Sequence, residues 1–433
     1  MNRDPREVIA DSPMSALQMI VVALTIALNA LDGFDVLSIS FASPGIAQEW
    51  RIDRAALGIV LSMELIGMAI GSIFLGGVAD TIGRRPTILG CLVVMAGGML
   101  AATTATGLVA LSAWRVVTGL GIGGMLAAIN AVAAEFSNSH RRHLNVSLMS
   151  IGYPLGAVVG GIVAARLLQG HDWRTVFYFG SAVTAVLIPM VFLFVPESVH
   201  WLTRKQPTGA LENVNRTMTR MGHPAVTVLP TLAADARRTS VADIFASGLI
   251  GSTVIVTLAY FFHITTFYFI VKWIPKIVVD LGFSPSSAAG VLVWTNVGGA
   301  LGGAVFGLLT LRYSVKALTI GMLIASTAMV TLFGRTPADL QRLSLICAIA
   351  GFCTNAGIVG LYAIIAQVFP THVRASGTGF AIGVGRGGSV LAPIIAGFLF
   401  AAGFTLPVVA TTLAFGSLAA ALVLILLKVD QAR

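Results

Sequence analysis

The chain has 433 residues, of which 56% are hydrophobic and only 10% are charged, and its mean hydropathy is +0.90. A soluble domain carries about 25% charged residues, so this composition excludes a soluble globular protein. The net charge of +9 does not indicate nucleic-acid binding, because the basic residues fall in short loops between apolar segments, where membrane topology explains them. The composition therefore predicts a polytopic membrane protein whose partner is the lipid bilayer and not a nucleic acid.

Twelve apolar segments are long enough to cross a bilayer as helices, which takes about 20 residues each. The polar segment 196–245 divides them into six and six, and its prolines and arginines are typical of a connecting loop with one or two short helices. We therefore expect an all-α membrane protein with an N-terminal six-helix bundle (1–195), a cytoplasmic central loop (196–245) and a C-terminal six-helix bundle (246–433). The twelve predicted spans are 16–41, 55–78, 86–106, 108–134, 144–166, 174–195, 246–270, 285–309, 315–334, 342–366, 375–401 and 404–428.

The distribution of lysine and arginine predicts the orientation, because these residues are enriched in cytoplasmic loops. If both termini are cytoplasmic, 17 of the 27 basic residues lie on the inside and 8 on the outside. The other two, Arg115 and Arg386, fall within predicted spans. We therefore expect both termini in the cytoplasm.

The first span carries two acids, Asp32 and Asp35, on one helix face. A carboxylate at membrane depth costs several kcal/mol unless it is protonated, paired or facing a wet cavity. Gly33 between them allows a neighbouring helix to approach closely. One interpretation is that both acids lie in the headgroup region at the outer end of the span. The other is a proton or substrate site on a helix that faces a cavity.

Two further charges lie deep in the N-terminal half. Arg115 in the fourth span lies at about the same depth as Asp32, counting 1.5 Å per residue. It is either a structural partner of the acids or the anchor of an anionic substrate, since guanidinium binds a carboxylate in a bidentate manner. Glu64 in the second span is either a second proton carrier or a structural partner of an arginine.

The C-terminal half offers polar candidates for substrate binding. Arg386 lies in the glycine-rich sequence GVGRGGSVLAP near mid-depth and is either a substrate contact or a structural pair. His263 in YFFHITTFYF falls near the repeat position of Asp32, and a single histidine in an aromatic span is either a packed, hydrogen-bonded residue or a substrate ligand. The remaining candidates for substrate binding are Asn296, Asn355 and Tyr362.

A loop motif, GGVADTIGRRP (76–86), follows the second span, and FGLLTLRYSVK (306–316) follows the eighth in parallel, with Thr310 in place of the acid. Gly83 permits a tight turn, while Arg84 and Arg85 hold the loop on the inside. Asp80 is placed to pair with a base or a helix N-terminus. Glu135 and Arg142, at the inner end of the fourth span, form either a switch with this loop or a solvated charge cluster.

The twelve spans, the central loop, the half repeat and this motif resemble the major facilitator superfamily over the whole chain. The resemblance implies two pseudo-symmetric six-helix bundles with a site near the midplane. It also implies that the loop is a conformational latch, a role carried here to Asp80, Gly83, Arg84 and Arg85, with Glu135 and Arg142 as its candidates at the end of the fourth span. The second copy, which lacks the acid, should form a weaker latch.

The sequence LDGFDVLSISFASPGI (31–46), Arg115 with its glycines, and GVGRGGSVLAP are similar to the aromatic acid:proton symporter family, whose members carry 4-hydroxybenzoate, benzoate or vanillate. This resemblance implies symport of an aromatic carboxylate with protons across the bacterial inner membrane by a monomer that is not an enzyme, needs no cofactor and holds no metal. Asp32, Asp35 and Glu64 are the candidates for proton coupling. The alternative is a drug or metabolite efflux antiporter of the same fold, driven by protons.

Overall fold

The computed structural model describes residues 3–75, 77–230, 244–245, 248–370 and 373–427, and in these ranges it contains helices and no strand. The helices are α1 (Pro5–Asp11), α2 (Ala16–Trp50), α3 (Arg54–Phe74), α4 (Val78–Ile82), α5 (Arg84–Thr103), α6 (Leu108–Glu135), α7 (Arg142–Leu167), α8 (Arg174–Phe194), α9 (Val199–Lys205), α10 (Ala210–Arg220), α11 (Ile250–Asp280), α12 (Pro285–Leu309), α13 (Val315–Phe333), α14 (Leu340–Val368), α15 (Arg374–Gly385), α16 (Gly387–Ala401) and α17 (Leu406–Ile425).

Twelve helical stretches in the described ranges are long and apolar enough to cross a membrane, which confirms the predicted all-α, twelve-span fold. Most ends agree with the prediction within a few residues, but α2 continues to Trp50 and α11 to Asp280. Both helices contain a proline, Pro44 and Pro275, and continue past it. Hydropathy indicates where a helix leaves the hydrocarbon, whereas the helix itself ends only where its backbone hydrogen bonds end. For this reason Lys272, which the sequence places outside the membrane, is a fully buried residue of α11.

Local sequence signals explain where several helices begin. Pro285 opens α12 after Ser284, whose side chain accepts a hydrogen bond from the Ser287 N–H. Asp339 caps α14 in the same way by accepting from the Arg342 N–H. In the central segment, α9 and α10 confirm the expected short helices, and residues 231–243 of this segment lie outside the described ranges.

Glycines allow two pairs of helices to approach closely. A Cβ atom built on Gly33 of α2 would lie 2.0 Å from the backbone oxygen of Tyr153 in α7. The same test places a Cβ on Gly298 of α12 1.9 Å from the Ala348 oxygen in α14. Only glycine fits at such contacts, and this agrees with small residues at helix interfaces in membranes. The expectation that Gly33 permits a close neighbour is confirmed.

The chain forms two compact units. The first comprises Met1–Val36, Met63–Ala157 and Arg174–Ala236, and the second comprises Leu37–Ser62, Val158–Trp173 and Arg237–Arg433. These units are defined by contacts in space, whereas the predicted bundles 1–195 and 246–433 are defined along the chain. The predicted domain boundaries therefore stay a prediction.

Candidate functional site

Two aspartates, a glutamate and an arginine come together inside the first unit. Asp32 and Asp35 share a face of α2, Glu64 lies on α3, and Arg115 lies on α6. Each of the four residues is at most 2% exposed. We call this group the acid cluster. Such burial of ionisable groups in membrane helices is costly and therefore marks a functional site by default.

The side chain of Arg115 is fully buried, and its guanidinium contacts several described residues. Its guanidinium forms an ion pair with the Glu64 carboxylate. It also donates a hydrogen bond to the backbone oxygen of Asp35 at 3.1 Å and lies 5.1 Å from the centroid of the Phe177 ring. A further N–H group points to the sulfur of Met99 at 3.5 Å. These contacts hold the arginine inside the cluster.

Asp32 lies in a different environment from Glu64. Among the described residues, neither of its carboxylate oxygens accepts a hydrogen bond. Its electrostatic neighbours are Asp35 and Glu64, and it also lies near the Cys91 thiol. Asp32 is therefore a buried acid surrounded by other acids.

The structure brings together the four ionisable residues that the sequence singled out within the spans of the N-terminal half. Matching depths led us to expect Arg115 near the two aspartates, and the guanidinium does reach Asp35, but through the backbone oxygen. Its direct ion-pair partner is Glu64, one of the two alternatives left open for that residue. Asp32 and Asp35 are both buried within the protein, and their depth in the bilayer stays a prediction.

A second candidate site surrounds Arg386 in the second unit. The helix breaks there, because α15 ends at Gly385 and α16 begins at Gly387. The Arg386 carbonyl accepts hydrogen bonds from the backbone N–H and the hydroxyl of Ser389, at 2.9 Å and 2.6 Å. The half-buried guanidinium lies beside tyrosine hydroxyls rather than carboxylates of the described residues. These tyrosines are Tyr260, Tyr268 and Tyr362.

Tyr260 and Tyr362 form a pair next to this arginine. Their hydroxyl oxygens are 3.1 Å apart and their ring centroids 5.6 Å apart. Tyr260 is buried, whereas Tyr362 is 39% exposed. Tyr362 therefore presents an accessible hydroxyl beside an arginine, and the sequence had proposed these two residues as separate candidates for substrate binding. Tyr260 lies in the aromatic span YFFHITTFYF and was not among the residues proposed from the sequence for substrate binding.

The two asparagines of this half lie on neighbouring helices. Asn355 of α14 donates a hydrogen bond from its amide to the Gly299 oxygen of α12 at 2.7 Å. Asn296 of α12 donates to the Leu292 oxygen of its own helix at 2.8 Å. Both asparagines are half-buried. Their positions are compatible with the predicted role in substrate binding.

His263 is fully buried in the second unit, and both of its ring nitrogens are engaged. Nδ1 lies 2.8 Å from the Ser417 hydroxyl, and Nε2 lies 2.8 Å from the Thr354 backbone oxygen. Of the two interpretations offered by the sequence, this geometry favours the packed, hydrogen-bonded histidine.

The basic loop after α3 forms a cluster of charges with the end of α6. The Arg84 guanidinium pairs with Asp80 at 2.7 Å and with Glu135 at 3.0 Å, and a second bond to Glu135 measures 3.2 Å. Arg85 donates to the Phe192 oxygen at 2.6 Å and stacks on its ring. Arg142 begins α7, and its Nε has no hydrogen-bond partner among the described residues. The structure thus brings Asp80, Arg84 and Glu135 together, whereas it engages Arg85 elsewhere.

Glu197 completes this loop cluster, although it was not among the residues expected there. Its carboxylate accepts hydrogen bonds from the backbone N–H groups of Arg84 at 2.9 Å and Arg85 at 3.2 Å, at the N-terminus of α5. Burial raises the pKa of the Glu197 carboxyl, while these N–H donors and that of Ser198 act in the opposite direction. Glu197 lies 113 residues from Arg84, and no local pattern reveals which helix a loop carboxylate will cap.

Gly83 provides the test of this arrangement. Its φ of +111° and ψ of 163° belong to a region that only glycine adopts readily. A Cβ atom there would lie 2.2 Å from Oε2 of Glu197. We expect Gly83→Ala to lower stability by about 1–3 kcal/mol. The measurement is the thermal unfolding midpoint of the purified protein in detergent.

Gly77→Ala is the matched control, because Gly77 lies in the same loop with a φ of −76° and nothing within 4 Å of an added Cβ. This control should leave the midpoint unchanged. Equal midpoints for both variants would contradict the role assigned to Gly83 and Glu197.

Comparisons with known proteins agree with this fold. The model of the Major Facilitator Superfamily matches residues 24–257 and 256–433. The chain is 30% identical to a 4-hydroxybenzoate transporter of Pseudomonas putida, over 90% of this chain and 87% of that protein. It is 28% identical to a gallate transporter of the same organism, over 98% and 94%. A crystal structure of a D-xylose–proton symporter matches with a TM-score of 0.74 at 17% identity, covering 96% of this chain and 99% of that one.

The two family matches together extend from residue 24 to the end of the chain, and the structural likeness extends over both compact units. Relatives and structural neighbours are transporters and not enzymes. The twelve apolar helices make this a multi-pass membrane protein. The chain therefore belongs to the Major Facilitator Superfamily of membrane transporters, and it is similar to members that carry aromatic acids.

Proposed function

We propose that this protein is a symporter that uses the proton gradient to import an aromatic carboxylate across the bacterial inner membrane by alternating access. The names of the relatives support the class of substrate. The buried acid cluster is the observation that carries the proton coupling. The basic inner loops support cytoplasmic termini. The proposed transporter works as a monomer in the bilayer.

Proton coupling follows from the charges of the acid cluster. The cluster holds three carboxyl groups and one guanidinium, all of them buried, and the guanidinium pairs with Glu64. Full ionisation would leave excess negative charge at membrane depth, where it is costly. Binding a proton removes part of this cost. We assign the proton to Asp32, with Asp35 as its neighbour on the same face, while Glu64 holds Arg115.

The substrate carboxylate is assigned to Arg386 rather than to Arg115. Arg115 is fully buried and already bound to Glu64 and to the Asp35 backbone. Arg386 is half-buried, lies among tyrosine hydroxyls and faces no carboxylate of the described residues. A planar guanidinium with a neighbouring hydroxyl donor suits a carboxylate, which accepts charge-assisted hydrogen bonds.

The loop cluster acts as the conformational latch of the cycle. Asp80, Arg84 and Glu135 join the α3–α5 loop to the end of α6, and Glu197 fixes the N-terminus of α5. Breaking these contacts would free the loop during the change of access. Gly83→Ala should therefore also slow uptake, whereas Gly77→Ala should not.

The proposal is tested by uptake into vesicles that contain the purified protein and have an imposed pH gradient, acid outside. Labelled 4-hydroxybenzoate, gallate and benzoate should accumulate, and a protonophore should collapse the accumulation. Vesicles without protein are the control. Expulsion of a cationic dye without accumulation of any acid would overturn the proposal in favour of the efflux antiporter.

Arg386→Gln should weaken the apparent affinity for the transported acid about ten-fold or more, because a hydrogen-bonded charge is lost. Arg386→Lys should restore only part of the affinity, since a point charge does not replace the planar fork. Competition between labelled and unlabelled acid measures the change. Arg342→Gln is the control, because Arg342 is exposed at the start of α14. An unchanged affinity in Arg386→Gln would move the anchor elsewhere.

A further inference from the structure

One face of α14 carries polar groups at two levels. Asn355 and Tyr362 are seven residues apart, so they share a helix face and are separated by two turns, about 10 Å at 1.5 Å per residue. Tyr362 is next to Arg386, and Asn355 is next to α12, which carries Asn296. The distance suits an aromatic acid with one ring and polar groups at its opposite ends.

The two levels differ in hydrogen-bonding character. At the level of Arg386 and Tyr362, the guanidinium offers only donors and the hydroxyl can donate. At the level of the asparagines, each amide NH₂ uses one of its two N–H groups to donate to a backbone oxygen, Gly299 for Asn355 and Leu292 for Asn296. These bonds fix the amide orientation and direct the other amide atom, Oδ1, away from the bond. Neither Oδ1 has a hydrogen-bond partner among the described residues, and neither belongs to the fully buried polar atoms.

A site with donors at one end and acceptors at the other selects a matching molecule. The donor end takes a carboxylate, whereas an amide oxygen accepts hydrogen bonds and cannot donate one. The group that fits a free amide oxygen is therefore a donor, either an O–H or an N–H. A phenolic hydroxyl is such a donor, and an aromatic acid carries it on the ring, away from the carboxylate.

On the basis of the proposed function, we infer that Asn355 and Asn296 recognise a hydroxyl on the ring of the substrate. The preferred cargo is then a ring-hydroxylated aromatic acid, with its carboxylate at Arg386 and Tyr362 and its hydroxyl at the asparagine oxygens. Benzoate binds at the first end only. Selectivity arises because an acid without the hydroxyl leaves the acceptor end without a donor.

Three acids in one competition assay test the inference: 4-hydroxybenzoate, 4-methoxybenzoate and benzoate. The methoxy compound keeps the ring oxygen but has no proton to donate. The wild type should prefer 4-hydroxybenzoate about ten-fold over both others, the worth of one hydrogen bond. Asn296→Leu should lower this preference toward equality by weakening the binding of 4-hydroxybenzoate. This variant removes a bond only to its own helix, so it should fold normally.

Asn355→Leu is the second variant, and Asn130→Leu is the matched control. Asn130 of α6 donates to the Leu126 oxygen of its own helix at 2.8 Å, as Asn296 does to Leu292, but it lies in the first unit. Asn130→Leu should keep the preference of the wild type. An equal affinity of the wild type for all three acids would overturn the inference and leave symport intact. The inference would also be overturned if Asn296→Leu and Asn355→Leu weakened the binding of all three acids equally. Failure of the wild type to transport any acid would overturn both proposals.

Discussion

Asp32→Asn is expected to abolish accumulation driven by a pH gradient, while exchange of labelled for unlabelled acid across the same vesicles continues. Asparagine resembles a protonated aspartate in shape and carries no charge. The variant would therefore remain in a state equivalent to the protonated carrier. That state can bind and release substrate on both sides, but it has no proton to give up, so net uptake against a gradient fails.

The position of Asp32 is the physical reason for this expectation. It is 2% exposed, and its oxygens accept no hydrogen bond among the described residues, while Asp35 and Glu64 are its charged neighbours. A negative charge there is costly, so the protonated and charged forms of the cluster differ strongly in free energy. Exchange by the wild type should fall as the pH rises on both sides, and exchange by Asp32→Asn should be much less sensitive to pH.

Asp11→Asn is the matched control, because it makes the same chemical change at an exposed carboxylate of α1 that pairs with Arg3. Both accumulation and its pH dependence should match those of the wild type. Asp35→Asn separates the two acids of α2, since the backbone oxygen of Asp35 that binds Arg115 remains in this variant. Normal accumulation by both Asp32→Asn and Asp35→Asn would show that neither aspartate of α2 carries the coupled proton.

The sequence was sufficient to predict the twelve helices and the four residues of the acid cluster. Apolar length determines the spans, and a charge within a span is conspicuous because it is costly there. The partners could not be predicted in the same way. Whether Arg115 binds Asp32, Asp35 or Glu64 depends on the rotation and crossing of three helices, and a difference of one residue on any of them changes the pairing.

Prediction from the sequence met similar limits in the C-terminal half and in the loop after α3. Tyr260 looked like any aromatic residue of a membrane helix, and its contact with Tyr362 joins residues 102 positions apart. Arg386 lies in a glycine-rich sequence, but that pattern does not locate the break between α15 and α16 at this residue. Glu197 lies at the start of the polar segment 196–245, yet its role depends on where the N-terminus of α5 lies.

The second large effect concerns the ion pair between Arg115 and Glu64. Arg115→Leu should destabilise the protein by about 3–5 kcal/mol, because it leaves a buried carboxylate without its cation. Glu64→Leu should cost less, since Arg115 then still has Asp35 as an electrostatic neighbour. The double variant Arg115→Leu/Glu64→Leu should be more stable than Arg115→Leu alone. Removing both partners leaves the net charge of the cluster unchanged and replaces a pair whose burial was itself costly. Thermal unfolding midpoints in detergent measure all three variants.

The same double variant distinguishes the two roles that the sequence left open for Arg115. If Arg386 anchors the substrate, the double variant should regain stability and exchange 4-hydroxybenzoate with an affinity close to that of the wild type. If Arg115 is the anchor, the double variant should regain stability but lose binding, because no cation replaces the guanidinium. Stability and binding are measured on the same preparation, so a folding defect cannot be mistaken for a lost binding site. Recovery of stability without binding would therefore return the anion site to α6 and contradict the assignment to Arg386.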